Sequence, residues 1–300
     1  MGFLLEITKL ICYTEKTKEV EKMKIKYFVT AAAEAVPAPF CECEVCENAR
    51  AKKGRNIRSR SQAMVDDSLM LDFCGDTFMH TLQHNIKLCY IDAFLITHNH
   101  YDHLYPEELF CRGEWASHMK VKKPLVFYGT KPTMDKILER AFMPEKLLQE
   151  KAMELREIKP FEPFFINNYK VTALKADHGG DIQAVFYMIE KDGKALLYAH
   201  DTGLFPQETL EYLKSVDVCF DLVSYDCTNG LLDWDNRSHM GITGNRIIKK
   251  ALLDMGRVNE KTIHVVNHFS HNGLAGYDEL KPIAEKDGFI VSYDGLELEF

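Results

Sequence analysis

Residues 91–103 read IDAFLITHNHYDH, and no other stretch limits the possible folds as tightly. Ala93–Thr97 is an apolar, β-branched run of strand length. Three histidines and one aspartate begin where it ends. In extended backbone, residues two apart project to the same side, so His98 and His100 can face one cation. Asp102 and His103 then turn away, ready to bind a second cation a few ångströms off. Read instead as solvated or core residues, such a cluster would carry buried or repelling charge, which metal ligation removes. Imidazole and carboxylate together suit Zn²⁺, Mn²⁺ or Fe²⁺. Two adjacent divalent ions can share and acidify one water and clamp both the attacking and the leaving oxygen.

Around this cluster, strands and helices alternate. Apolar runs bounded by turn residues predict strands at Ser68–Phe73, Tyr90–Thr97, Pro124–Tyr128, Tyr169–Ala176, Ala184–Ile189, Ala195–Ala199, Val216–Tyr225 and Thr262–Val266. Asp192-Gly193 and Asp294-Gly295 each signal a tight hairpin. Helices are expected over Pro132–Phe142, over Gln207–Lys214, from a Thr243 cap through Met255, and over Asp278–Lys286. This mixture points to a layered α/β fold with mixed sheets. Residues 1–22, with the charged stretch Thr14–Lys24, read as an appended helix or arm, and residues 23–300 as one domain.

Composition narrows the function classes. A net charge of −8 disfavours a protein that grips nucleic acid through its phosphates. No signal peptide or membrane-length apolar run is visible, so a cytoplasmic, reducing location is the expectation. There, clustered cysteines bind metal more often than they form disulfides, and scattered ones pack as small apolar residues.

The pattern His98-x-His100-x-Asp102-His103 resembles the HxHxDH signature of the metallo-β-lactamase superfamily. The resemblance implies that family's αββα sandwich of two mixed β-sheets. It also implies three further ligands at strand ends: His178 before Gly179-Gly180, Asp201 in AHDTG, and His268. The implied assignment is His98, His100 and His178 on one ion; Asp102, His103 and His268 on the other; and Asp201 bridging.

Cys41-x-Cys43-x-x-Cys46 supplies three thiolates at zinc-ligand spacing, one short of a closed tetrahedral site. His271, three residues past His268, is the best candidate for the fourth. The pairing is similar to the phosphoribosyl 1,2-cyclic phosphate phosphodiesterase family accessory to carbon–phosphorus lyase, whose CxCxxC and late His hold a structural zinc. His239, a histidine outside the ligand set lying between Asp201 and His268, fits the phosphodiesterase branches. There a proton donor helps expel a poor alkoxide leaving group. One departure from the pattern is Thr30–Val36 (TAAAEAV), where the family has a Gly-rich turn; alanines leave less freedom at positive φ.

The resulting expectation is a dinuclear metal hydrolase. It would hold two active-site cations, Zn or Mn, and one structural Zn, and would act on a small, cyclic phosphate diester through a hydroxide shared by the ions. His239 and Asp102 are the expected catalytic residues. The alternatives are a nuclease resembling the tRNA 3′-processing enzymes, against which the charge and the lack of a basic Gly-rich arm argue, and a non-catalytic carrier resembling the pyrroloquinoline quinone-biosynthesis B protein. A small-molecule phosphate ester is the expected partner, with no membrane, no preference for nucleic acid, and a homodimer compatible with the sequence.

Overall fold

The computed structural model describes residues 22–300. The arm expected over residues 1–22 therefore lies outside the described residues, apart from Lys22, which pairs with Glu299 at 3.2 Å.

The strands in chain order are β1 (Lys24–Val29), β2 (Gln62–Val65), β3 (Leu69–Leu71), β4 (Ala93–Leu95), β5 (Leu125–Gly129), β6 (Met153–Glu157), β7 (Pro163–Ile166), β8 (Tyr169–Lys175), β9 (Val185–Lys191), β10 (Lys194–Ala199), β11 (Leu222–Asp226), β12 (Ile263–Asn267), β13 (Ile290–Val291) and β14 (Glu297–Glu299). They form two seven-stranded sheets, ordered β14-β1-β2-β3-β4-β5-β6 and β13-β12-β11-β10-β9-β8-β7. In these orders the first sheet has three antiparallel pairings followed by three parallel ones, and the second has three parallel followed by three antiparallel.

The α-helices are α1 (Glu44–Lys52), α2 (Thr77–His84), α3 (Lys131–Arg140), α4 (Pro144–Gln149), α5 (Gln207–Ser215), α6 (Ile242–Asp254) and α7 (Tyr277–Ala284). Strand residues explain the layers. Ile25, Tyr27, Leu95, Tyr187, Ile189, Leu196 and Val265 fill the space between the sheets. Their neighbours point outward: Phe94 and Phe127 meet Met134 and Ile137 of α3, and Phe186, Leu197 and Val223 share a core with Ile248 and Leu252 of α6. Both faces of the central strands are buried, which is why they read as unbroken apolar runs rather than alternating ones. The result is the expected αββα sandwich.

Several local expectations are corrected. The run Tyr90–Thr97 pairs only over Ala93–Leu95, because Leu88–Tyr90 forms a 3-10 turn and the Thr97 N–H donates to the Asp72 carboxylate instead of a strand. Val216–Tyr225 pairs only from Leu222, since Val216 closes α5 and its carbonyl accepts from Arg257. Thr243 is not a cap; α6 starts at Ile242 after Gly241 and has no side-chain cap bond. Asp192-Gly193 does form the β9–β10 hairpin. Asp294-Gly295 turns the chain but joins β13 and β14, which lie in different sheets. It is a crossover pinned by Asp294, which accepts from the Ser59 N–H and the Thr30 hydroxyl at 2.8 Å each. His80 on α2 is buried, with its Nδ1 2.6 Å from Gln62 Oε1 of β2.

Candidate metal centre

Strand direction assembles the site. β8 and β10 are both antiparallel to β9, so they run the same way, and β11 and β12 run parallel to β10. Their carboxyl ends therefore meet one edge of the sandwich, where open α/β sheets place their sites. His178 follows β8, Asp201 follows β10, and His268 follows β12. The loop after β4 brings His98, His100, Asp102 and His103 to the same edge from the other sheet.

The ligand atoms of His98, His100 and His178 lie within 4.8 Å of one another, as do those of Asp102, His103 and His268. Asp201 stands between the sets: its Oδ2 is 3.0 Å from both His103 Nε2 and His268 Nε2, and its Oδ1 is 3.8 Å from His178 Nε2. All seven sequence-predicted donors thus converge, and Asp226 and His239 also bring ligand atoms within 4.8 Å of those of Asp201 and His268.

The chemistry of the donor set fits metal ions. His98 Nε2 and Asp201 Oδ2 are buried with no hydrogen-bond partner, a costly arrangement unless a cation satisfies them. His103 Nε2 and His268 Nε2 face each other at 3.2 Å, and His178 Nε2 faces His100 Nδ1 at 3.2 Å. Outer partners set the tautomers. His103 Nδ1 donates to Asp72 at 2.7 Å, His178 Nδ1 to the Ser238 carbonyl at 3.0 Å, and His268 Nδ1 to the Thr228 hydroxyl at 2.8 Å. Each bond leaves the Nε2 lone pair aimed inward, as metal-ligating imidazoles require. Burial alone would neutralise His103, yet Asp201, Asp102 and Asp72 raise its pKa well above the usual range. The carboxylates thus draw positive charge to the centre. Asp201 and His268 both adopt left-handed backbone, φ 51° and 62°, the local strain that clusters at functional sites.

Two residues went unassigned in the sequence, and both are buried aspartates. Asp72 follows β3 and accepts from the Thr97 N–H and hydroxyl as well as from His103. Asp226, at the end of β11, accepts from the backbone N–H groups of Asp201 (3.1 Å), Thr228 (3.1 Å) and Met240 (2.9 Å), and from His239 Nδ1 at 3.0 Å. A strand-end acidic residue beside the ligand ends was the available signal. His239 lies beside the cluster, its ring 4.8 Å from that of His178 and 5.8 Å from that of His268. Burial works against its protonation, but Asp226 more than offsets this and pushes the pKa up to about 9. Gly203 permits this arrangement, because a Cβ there would sit 2.2 Å from the Asn236 carbonyl, in the loop that leads to Ser238 and His239. Away from the cluster, Arg112 and His118 line a separate apolar cavity of about 460 Å³ with Phe73, Leu88 and Leu109.

The second donor set is also assembled. Cys41, Cys43, Cys46 and His271 bring their ligand atoms within 4.8 Å, and His271 Nδ1 is 3.5 Å from both the Cys41 and Cys43 sulfurs. Tetrahedral zinc, about 2.3 Å from sulfur and about 2.0 Å from nitrogen, separates such a pair by roughly 3.5 Å. Among the described residues no cysteine is in a disulfide. Partial burial opposes ionisation of Cys43, but the Cys46 N–H and its Cys41 and His271 neighbours bring its pKa down to about 7, which favours a thiolate ligand.

A family model described as Beta-lactamase superfamily domain matches residues 70–266, from within β3 to within β12, and includes six of the seven converging donors; His268 follows two residues after its end. The chain belongs to the beta-lactamase superfamily. Within it, the fold is similar to a solved diphosphatase from the PhnP family, at 17% identity and TM-score 0.69, covering 93% of this chain and 98% of that one. It is also similar to Zn²⁺-bound PqqB from Methylobacterium extorquens, at 19% identity and TM-score 0.73, covering 92% and 100%. A curated relative, the octanoyltransferase of Porphyromonas gingivalis (strain ATCC BAA-308 / W83), is 24% identical over 269 residues, 87% of this chain and 48% of that protein. The chain therefore spans about half the length of the curated relative it matches.

Proposed function

We propose that this superfamily member is a dinuclear metal-dependent phosphodiesterase acting on a small, cyclic phosphate diester. The observation that carries the reading is His239. It is a histidine outside the ligand set, against His178 and His268, and Asp226 holds it by Nδ1 so that Nε2 is free. When bound, two divalent cations supply Lewis acidity toward phosphoryl oxygens and an acidified water. His98, His100 and His178 would hold one, Asp102, His103 and His268 the other, and Asp201 both. His239 protonates the departing alkoxide, and Asp226 orients it and stabilises its charged form. Zinc or manganese suits the histidine and carboxylate donors, and zinc suits Cys41, Cys43, Cys46 and His271. The similar PqqB is described as zinc-bound, and the similar PhnP-family protein as a diphosphatase, so phosphoanhydrides belong in the substrate panel.

The test is hydrolysis of bis(p-nitrophenyl) phosphate and of a 2′,3′-cyclic nucleotide with Mn²⁺ or Zn²⁺. Asp102→Ala is expected to abolish both activities. His239→Ala is expected to lose about 10²- to 10⁴-fold on the cyclic nucleotide, whose leaving group is an alkoxide, and much less on p-nitrophenolate, which leaves without a proton. Equal losses on the two substrates would remove the acid role, and turnover of a diphosphate alone would replace the diester reading. Elemental analysis separates the enzyme from a carrier: near three ions per chain supports catalysis, one supports carriage.

A further inference from the structure

The segment Thr30–Glu34 touches both donor sets. Toward the histidine cluster, the Ala33 carbonyl accepts from the Tyr101 hydroxyl at 2.9 Å, and Tyr101 sits between His100 and Asp102. Ala32 N–H donates to the Phe269 carbonyl at 2.9 Å, and Phe269 N–H donates to the Thr30 carbonyl at 2.8 Å, directly after His268. Toward the thiolates, Glu34 Oε1 accepts from the Ser270 hydroxyl and from Asn272 Nδ2 at 3.4 Å, and stands 3.6 Å from His271 Nε2. His271 turns Nδ1 toward Cys41 and Cys43, so its Nε2 carries the proton and faces Glu34.

We propose that Glu34 is a positioning residue for the thiolate site: its carboxylate orients His271 toward the three sulfurs and ties that ligand to the loop that begins at His268. The inference rests on the reading of Cys41, Cys43, Cys46 and His271 as a zinc site. At 3.6 Å the carboxylate–imidazole contact is a charge contact rather than a direct hydrogen bond. A carboxylate behind a ligating imidazole fixes the tautomer, restrains the ring and raises the basicity of the donor nitrogen. Removing such partners costs about 10- to 100-fold in metal affinity. Glu34 does this while anchoring Ser270 and Asn272 on either side of His271, so one side chain sets both the ring and its backbone.

The experiment uses the full chain with Co²⁺ replacing zinc. Thiolate-to-cobalt charge-transfer absorption reports the cysteine site alone, because the histidine–carboxylate cluster contains no thiolate. Cobalt affinity is then measured by competition with a chelator. Glu34→Ala is expected to weaken cobalt at this band by about 10- to 100-fold. Glu34→Gln, which keeps an acceptor for Ser270 but not the charge, is expected to fall between Glu34→Ala and the wild type. Wild-type affinity in both variants overturns the proposal while leaving the zinc site standing. A wild-type chain with no charge-transfer band overturns the zinc reading and the proposal together, which is a different signature.

Discussion

At the residue scale, Asp226 decides whether the cluster can do more than bind metal. It is fully buried, and its carboxylate gathers the backbone beside Asp201, the backbone after His239 and the His239 ring itself. Asp226→Asn keeps the size but removes the charge that holds His239 protonated. We expect a fall of about 10²- to 10⁴-fold on substrates with alkoxide leaving groups. Metal content should be unchanged by elemental analysis, since Asp226 is outside the seven donors; loss of metal together with activity would assign it to the ligand shell instead. Asp294 offers a separate test by pH. Burial first, only partly opposed by the Ser59 and Thr30 hydrogen bonds and by Arg58, raises its pKa to about 6 from 3.8. A carboxyl whose folded pKa is raised contributes stability below its unfolded pKa, and that contribution is lost as pH climbs through the folded one. The loss is about 3 kcal/mol between roughly pH 4 and pH 6. Asp294→Asn should flatten that part of the curve in denaturant titrations at several pH values.

At the scale of elements, the β9–β10 hairpin isolates a backbone effect. Gly193 has φ 79°, and a Cβ there would meet nothing within 4 Å. Gly193→Ala therefore adds no clash and carries only the left-handed cost of a non-glycine residue, about 1–2 kcal/mol. For a chain of this size that is a fall in Tm of several degrees by calorimetry, and an unchanged Tm would mean the turn relaxes. The layers respond differently. Leu196 is fully buried between the sheets, and Leu196→Ala should destabilise by about 2–5 kcal/mol through lost burial and a residual cavity.

Across the whole molecule, metal and stability are linked. Seven donors converge from four strand ends with His98 Nε2 and Asp201 Oδ2 unsatisfied, so the bare site holds poorly compensated polar groups. Ions that bind only the folded chain stabilise it by mass action, about 2.7 kcal/mol at a hundred times Kd. Chelation should lower Tm, and restoring Zn²⁺ or Mn²⁺ should recover it. A Cys41→Ser chain should show a smaller recovery with zinc, because one donor set no longer closes. Among the described residues, no helix is long and apolar enough to cross a membrane.

How much of this was legible beforehand follows from the range of each interaction. His98, His100, Asp102 and His103 sit within six residues after an apolar run, so local periodicity alone marked them as ligands of one site. Continuous apolar strands implied sheets buried on both faces, and Asp192-Gly193 implied its hairpin, because these too are short-range properties. Sequence could not decide where Asp294-Gly295 leads, since the same turn can return a strand or send it to the other sheet, and only pairing with β1 sends it across. Nor could it assign a role to Glu34 among 45 acidic residues, or say which histidine Asp72 and Asp226, marked only by their places at strand ends, would hold. Asp226 matters through a histidine 13 positions away, Asp72 through one 31 away and Glu34 through one 237 away, each at a distance that tertiary packing sets.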